Sequence, residues 1–501
     1  MNYTRKALFG AMWVFIFLVV SAGMSYLFRL LLAKNLSVED YGLFFAVFSV
    51  ILFVIIIKDL GLRNALAKFI PEFLSKNDRQ SVKSSMMLVF YIHLLTSLLF
   101  TAILVFLAPI LAKHYFHSVT AAQLMAVFAF ALIVSFIEEI FVYSFQGFQK
   151  MIYFSMAPAV RMTLVLLITF VLLKTGAGIM APVYAFLITY AIMSLVYPVL
   201  FIKTTFRDFF SVKSNISSSL TKTIFKFGIL TMLTFTGGYI LSYTDTLVLT
   251  YFRTLKEVGW YQVAMPSTTL LWYIPQAVST IILPMASELW SKNEKGLLST
   301  GIEMAHKYSF VAVVPLALIM LTFPEIMIRV LFGEAYVPAA QALQILAVGA
   351  IIFSISTLNT AAFSGIGHPQ VNTKIIFTAA LINLILNLIL IPLYGIIGAA
   401  SATTISYAVM MILSTARLRQ FVKIKEPWTN WAKTAIAGIG FVLVVSVLKN
   451  YLEMNVWVET GICLVIAGAA YIILVFLFKV VNINEIKDLA KRAISTKKQD
   501  F

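Results

Sequence analysis

Long apolar stretches alternate with brief polar turns from one end of the chain to the other. Fourteen are long enough to cross a bilayer as helices: 7–32, 42–58, 86–112, 122–145, 155–174, 179–202, 227–251, 264–287, 308–332, 341–363, 374–392, 396–416, 432–449 and 457–479. A hydrocarbon core about 30 Å thick requires roughly 20 helical residues. The stretch 42–58 is the shortest and can extend through Leu62. The first, 7–32, is too long and continuous for a cleaved signal peptide and is read as a span. The pattern predicts an all-α integral membrane protein with 14 transmembrane helices. Two connecting segments carry an apolar helical face. Leu62, Leu66, Phe69, Ile70 and Phe73 lie amid Arg63, Lys68 and Glu72, while Ile483, Ile486, Leu489 and Ala493 lie beside Lys487 and Lys491. Both are expected to lie along the membrane surface as anchors.

The pattern repeats. YLFRLLLAKNLSVEDYGLFFA at 26–46 joins two spans through a polar turn, and YTDTLVLTYFRTLKEVGWYQVAM at 243–265 restates the design with Gly259 answering Gly42. TAAQ at 120–123 answers PAAQ at 338–341, Gly147 answers Gly365, and ITYAIM at 188–193 answers ISYAVM at 405–410. These markers hold an offset of 217 or 218 residues across the first six spans. An even number of crossings per copy makes the two copies parallel repeats, related by an axis along the membrane normal. The expected organisation is an N-lobe over 1–203, a cytoplasmic linker over 204–226 and a C-lobe over 227–420. Two extra helices over 421–480 and an amphipathic cytoplasmic tail over 481–501 follow.

Composition agrees: 61% apolar residues, 12% charged and a mean hydropathy of +0.95 exclude a soluble domain. The net charge of +17 would suit nucleic acid, but its distribution points elsewhere. With the N-terminus inside, 29 of the 38 Lys and Arg residues fall on the inner side and seven on the outer, leaving Arg29 and Arg161 within spans. That asymmetry places both termini in the cytoplasm and the basic excess against anionic inner-leaflet lipid of the cell membrane. Nucleic acid is not required. The single Cys463 sits in an apolar run and reads as a small buried hydrophobe.

Catalysis is not expected. The outer loops are about a dozen residues or fewer, too short to build an active site. The five histidines (His93, His114, His117, His306, His368) show no metal-ligand spacing, and there is no GxxxxGK phosphate loop. No metal and no cofactor are expected. What remains are charges inside spans, which usually face a polar cavity. Arg29 lies near the outer end of the first span and Asp245 roughly 9 Å below the outer end of the seventh. Glu138 and Glu139 lie roughly 12 Å deep in the fourth, with Arg161 in the fifth; Lys58, Asp59 and Arg63 close the second at the inner surface. Arg29 and Arg161 can alternatively snorkel to the nearer surface, and Lys58 and Arg63 can serve as positive-inside anchors. Carboxylates cannot reach so far. Adjacent glutamates diverge by about 100° on a helix, so one faces a cavity while the other is protonated, hydrogen-bonded or paired with Arg161. Asn383 and Asn387, one turn apart, either line the second lobe's wall or bridge packed helices. Pro198, Pro275 and Pro315 suggest kinks.

LLAKNLSVEDYGLFFAV at 31–47, KDLGLRNALAKFIPE at 58–72, the Asp245 helix followed by EVGWYQVA at 257–264, and YGIIGAASAT at 394–403 together resemble a known family. It is the polysaccharide transporter branch of the multidrug/oligosaccharidyl-lipid/polysaccharide exporter superfamily, which includes O-antigen-type flippases and relatives of the lipid II flippase. The resemblance covers the first 12 spans. It implies two six-helix lobes around a central cavity and, as substrate, an oligosaccharide on a polyprenyl phosphate or pyrophosphate carried from the inner to the outer leaflet. Arg29, Lys58, Arg63 and Arg161 then suit the anionic linkage, and Asp245, Glu138 and Glu139 suit gating or coupling to H+ or Na+. Asp245 is expected to pair with Arg29 when the outer end closes. A monomer working alongside glycan-assembly enzymes is the expected setting. The other readings are a cation-coupled drug exporter of the same superfamily, a membrane-bound glycan polymerase or ligase, and a passive scramblase.

Overall fold

The computed structural model of the chain describes residues 3–451 and 455–481. Among these residues it forms α-helices, two short 3-10 turns and no strand. In order they are α1 (Tyr3–Asn35), α2 (Val38–Asp59), α3 (Leu62–Ser75), α4 (Arg79–His114), α5 (Val119–Gly147), α6 (Met151–Lys174), α7 (Met180–Thr204) and α8 (Ser218–Phe252). Then come α9 (Leu255–Thr269), α10 (Tyr273–Ser291), α11 (Lys295–Thr322), α12 (Pro324–Leu331), α13 (Ala340–Gly365), α14 (Pro369–Phe421), α15 (Trp428–Tyr451) and α16 (Val456–Leu477). Among the described residues, twelve helices are long and apolar enough to cross a membrane, or 13 with the two arms of α8 taken as one span. Their outward faces stay apolar: Phe106 is 74% exposed and Leu195 is 73%, as lipid-facing side chains should be.

The helices gather into two compact units. The first holds Met1–Val263, Leu331–Tyr336 and Leu384–Ile396, and the second holds Ala264–Val330, Val337–Asn383 and Ile397–Phe501. In the first, α5 packs along α4 and α7, and α1 along α6. In the second, α13 packs on α10 and α11, and α15 pairs with α16 over Val314 and Leu318 of α11.

Breaks fall where the chain chemistry places them. α8 bends by 43° between Leu233 and Thr236, just before Gly237 and Gly238. A 3-10 turn, Leu270–Trp272, separates α9 from α10 immediately before Pro275, which has no N–H for the carbonyl of Leu271. The 53-residue α14 leaves helical geometry at Gly395 (φ 57, ψ −130), so it is two arms. The expected span 308–332 is corrected: α11 begins earlier, at Lys295, and stops at Thr322, because Pro324 starts α12. The surface-anchor expectation for 62–73 is also corrected. Leu62, Ala65, Leu66, Phe69 and Ile70 of α3 are buried against α4, α5 and α8, so this apolar face is protein core. The second expected amphipathic segment, 483–493, lies outside the described residues.

The duplication is visible in the packing. A Cβ on Gly147 would meet Ile70 Cβ at 2.8 Å and the Leu66 carbonyl at 3.1 Å. One on Gly365 would meet Ala286 Cβ and the Leu283 carbonyl, both at 2.6 Å. Residues 216 to 218 positions apart thus make the same contact twice. Gly42 and Gly259 meet each other: a Cβ on Gly42 would strike the Leu255 carbonyl, and one on Gly259 the Val38 carbonyl.

Candidate functional site

Two groups of buried polar residues lie in the first unit. The larger grows from the corner between α2 and α3. Leu60 (φ 50) and Gly61 (φ 68) both take left-handed backbone there, and a Cβ on Gly61 would collide with the Gly228 carbonyl. Glycine is therefore required. The corner ends α2 on Lys58 and Asp59 and brings Arg63, in the first turn of α3, to 3.2 Å from Asp59 Oδ2. Both α2 residues are buried, and Lys58 Nζ donates to the Leu132 carbonyl at 3.4 Å. His93 of α4, fully buried, places Nε2 at 3.2 Å from the Asp59 carbonyl. On α5, Glu138 accepts from Arg161 Nη2 at 2.6 Å and from Nε at 3.2 Å. Glu139 lies within electrostatic reach of Lys58, Arg63, His93 and Arg161. A cavity of about 110 Å³, room for a few waters, opens against Asp59, Arg63, Asn64, Tyr143 and Tyr239.

Of the cations singled out in the sequence, the fold brings Lys58, Arg63 and Arg161 into one cluster with Asp59, Glu138 and Glu139. Arg63 and Arg161 are each matched to a carboxylate, so an incoming anion would have to compete for them. Glu138, not Glu139, takes Arg161. The histidines looked scattered in sequence; the fold sets His93 beside Asp59 and Glu139, with one donor atom from each within 4.8 Å of the others.

The second group runs through α1, α8 and α9. Arg29 Nη1 donates to the Gln262 carbonyl at 3.2 Å and to Gln262 Oε1 at 3.3 Å, and its guanidinium stacks 4.2 Å over the Phe45 ring. Gln262 Nε2 donates to Thr246 Oγ1 at 2.6 Å. Asp245, almost fully buried, accepts from the Tyr261 hydroxyl and from Asn387 Nδ2, the latter at 2.6 Å. Neighbouring residues of α9 meet Arg29 and Asp245, Gln262 the arginine and Tyr261 the aspartate. Tyr261→Phe removes only the hydroxyl facing Asp245 and is expected to destabilise by about 1.5–3 kcal/mol, the range for a hydrogen bond to a charged group. Tyr41→Phe removes a hydroxyl that contacts the Gln262 carbonyl at 3.4 Å and meets the Arg29 side chain but faces no carboxylate, and should cost less; thermal unfolding in detergent compares the two.

In the second unit, Asn383 Nδ2 donates to Thr403 Oγ1 at 3.2 Å, bridging the arms of α14. A further cluster there had no sequence signal. His306 of α11, fully buried, faces Glu426 Oε2 at 3.0 Å through Nδ1 and Asn359 Oδ1 at 2.9 Å through Nε2. Asn359 Nδ2 donates to Ser414 Oγ at 3.0 Å, which itself donates to the Met411 carbonyl, so the amide orientation follows. Ser299 donates to the Lys423 carbonyl and Glu303 accepts from the Lys425 amide, each at 2.7 Å. The linker from α14 to α15 is thus strapped to α11.

Residues 31–341 match the family described as "Polysaccharide biosynthesis protein". The chain is 31% identical over 510 residues to the uncharacterized membrane protein MJ1068 of Methanocaldococcus jannaschii, covering 99% of this chain and 100% of that one. It is 24% identical over 483 residues to the probable low-salt glycan biosynthesis flippase Agl15 of Haloferax volcanii, covering 95% and 97%. Among solved structures, the inward closed lipid II flippase MurJ superposes with a TM-score of 0.74 at 16% identity, covering 94% of this chain and 98% of that one. An inward-facing multidrug resistance MATE family transporter gives 0.62 at 18%, covering 82% and 98%. At these identities the solved structures speak for the fold.

Proposed function

The chain belongs to the polysaccharide biosynthesis protein family, and from that premise we propose that it is a flippase for lipid-linked glycan. Its cargo is an oligosaccharide on a polyprenyl phosphate or pyrophosphate, carried from the inner to the outer leaflet of the cell membrane. The observation that carries this reading is the end-to-end match to a relative named as a glycan biosynthesis flippase. The buried charges support it, since apolar helices hold ionic groups at such depth when they serve a polar path. Counting the arms of α14 on either side of Gly395 as separate crossings raises the number of spans to fourteen. The charge asymmetry then puts both termini in the cytoplasm. The duplicated halves, 1–203 and 227–420, rock to give alternating access. The chain works as a monomer beside glycan-assembly enzymes, and Asp245 or Glu138 binds the coupling H+ or Na+.

Of the four proposed cargo-binding cations, Arg29 has the clearest claim. Its partners are neutral, so its charge is available to a phosphate, which guanidinium binds by paired hydrogen bonds. The test is transport of a fluorescent polyprenyl-pyrophosphate-linked oligosaccharide in proteoliposomes, read by an impermeant reagent that reaches outer-leaflet sugar only. Transport by the wild type, with Arg29→Ala slower by about tenfold or more, is the expected result; about 1.4 kcal/mol of lost cargo binding accounts for that factor. No transport above empty liposomes, with and without an ion gradient, overturns the reading.

A further inference from the structure

The cluster at the end of α2 contains buried acceptors that make no hydrogen bond. Asp59 Oδ1, His93 Nδ1 and Glu139 Oε2 are all buried, and none has a hydrogen-bond partner. His93 Nε2 faces the Asp59 carbonyl, an acceptor, so Nε2 carries its hydrogen and Nδ1 presents a lone pair. Asp59 Oδ1 has the His93 Nε2–H at 3.5 Å, too long for a full hydrogen bond, and the other two have none, so each of the three atoms can still take up a hydrogen. One polar atom from each of the three residues lies within 4.8 Å of the other two, so a charge gained by one is felt by all three.

The surrounding charges restrict that occupant. Lys58 and Asp59 face the group from α2, Arg63 from α3, Glu138 and Tyr143 from α5, Arg161 from α6, Tyr190 from α7 and Tyr239 from α8. The cations Lys58, Arg63 and Arg161 already balance the carboxylates Asp59, Glu138 and Glu139. A divalent metal would leave two uncompensated charges in a low dielectric, and sodium prefers oxygen to imidazole nitrogen. A proton adds one charge, and both imidazole and carboxylate hold it. The cavity of about 110 Å³ against Asp59 and Arg63 is a water-sized route by which it enters and leaves.

We propose that Asp59, His93 and Glu139 form a proton-binding centre inside the first unit. Its use as a further coupling site beside Asp245 or Glu138 rests on the transport reading above, but proton binding itself does not. The proton comes from water in the Asp59–Arg63 cavity, adds to one of the three lone pairs and returns to the same water. No bond other than that to hydrogen is made or broken.

The test needs no cargo, so its failure is separable from failure of the transport reading. Full-length protein in detergent is melted from about pH 5 to about pH 8.5 in choline chloride, alongside His93→Asn and Glu139→Gln. The melting temperature of the wild type relative to His93→Asn should rise toward acid by about 3 °C or more. Glu139→Gln, which supplies its own N–H donor, should flatten the curve while keeping acid-like stability at alkaline pH; it also serves if His93→Asn does not fold. Repeating the wild-type series with sodium or magnesium chloride in place of choline should change nothing. Curves that run parallel at every pH reduce the three residues to structural roles and overturn the proposal. A stabilisation that appears only with sodium or magnesium overturns it in favour of a metal ion.

Discussion

Arg161→Ala is expected to destabilise the protein by about 4–5 kcal/mol, and Glu138→Ala by about 3, because each single change strands a charge that was paired inside the membrane. The inequality follows from burial. Glu138 has a side chain with no exposure, whereas Arg161 retains 25%. Removing the arginine leaves a carboxylate with no route to water; removing the glutamate leaves a long guanidinium stem that can move toward a surface. Replacing both, as Glu138→Leu with Arg161→Met, should recover most of the loss, since a packed apolar pair avoids the cost of desolvating two ions. Equilibrium unfolding of the wild type, the two alanine variants and the protein carrying both alanines closes a double-mutant cycle. A coupling energy near zero would show that the 2.6 Å contact does not hold the two residues together in solution.

Gly42→Val should be as damaging, at about 3 kcal/mol or more, and Gly259→Val similar. The obstacle in each case is a backbone carbonyl, Leu255 for Gly42 and Val38 for Gly259, so no side-chain rotation relieves it. The helices must separate, which also disturbs the Gln262 and Tyr261 contacts one turn further along α9. Gly23→Ala is the control, because nothing lies within 4 Å of a Cβ there. It should be neutral or stabilising by up to about 1 kcal/mol, the helix-propensity gain of alanine. Melting curves for the three variants suffice, and a Gly42→Val protein as stable as Gly23→Ala would refute the close crossing.

These glycines show how far the chain could be read before it was folded. Gly42 and Gly259, and Gly147 and Gly365, stood out as repeat markers at constant spacing. Nothing in their sequence context revealed that the first two touch each other while the second two each receive a different helix. Apolar periodicity likewise marked α3 as amphipathic but not what its face meets. An apolar face buried against lipid and one buried against protein have the same residues, so only packing separates them.

The charged positions divide the same way. Sequence alone determined which ionic groups lie inside apolar helices, because hydropathy depends on neighbours along the chain. Only the tertiary structure decided their partners. Glu138 rather than Glu139 meets Arg161 because their directions differ by about 100° around α5. Arg29 meets Gln262 and Asp245 meets Tyr261, neighbouring residues of α9. His93 joins Asp59 and Glu139, and His306 joins Glu426, across 120 residues in the second case. Local pattern determines what each helix contains. Pairing depends on helix rotation and on chain reversals such as Leu60–Gly61, and neither is written in a hydropathy profile.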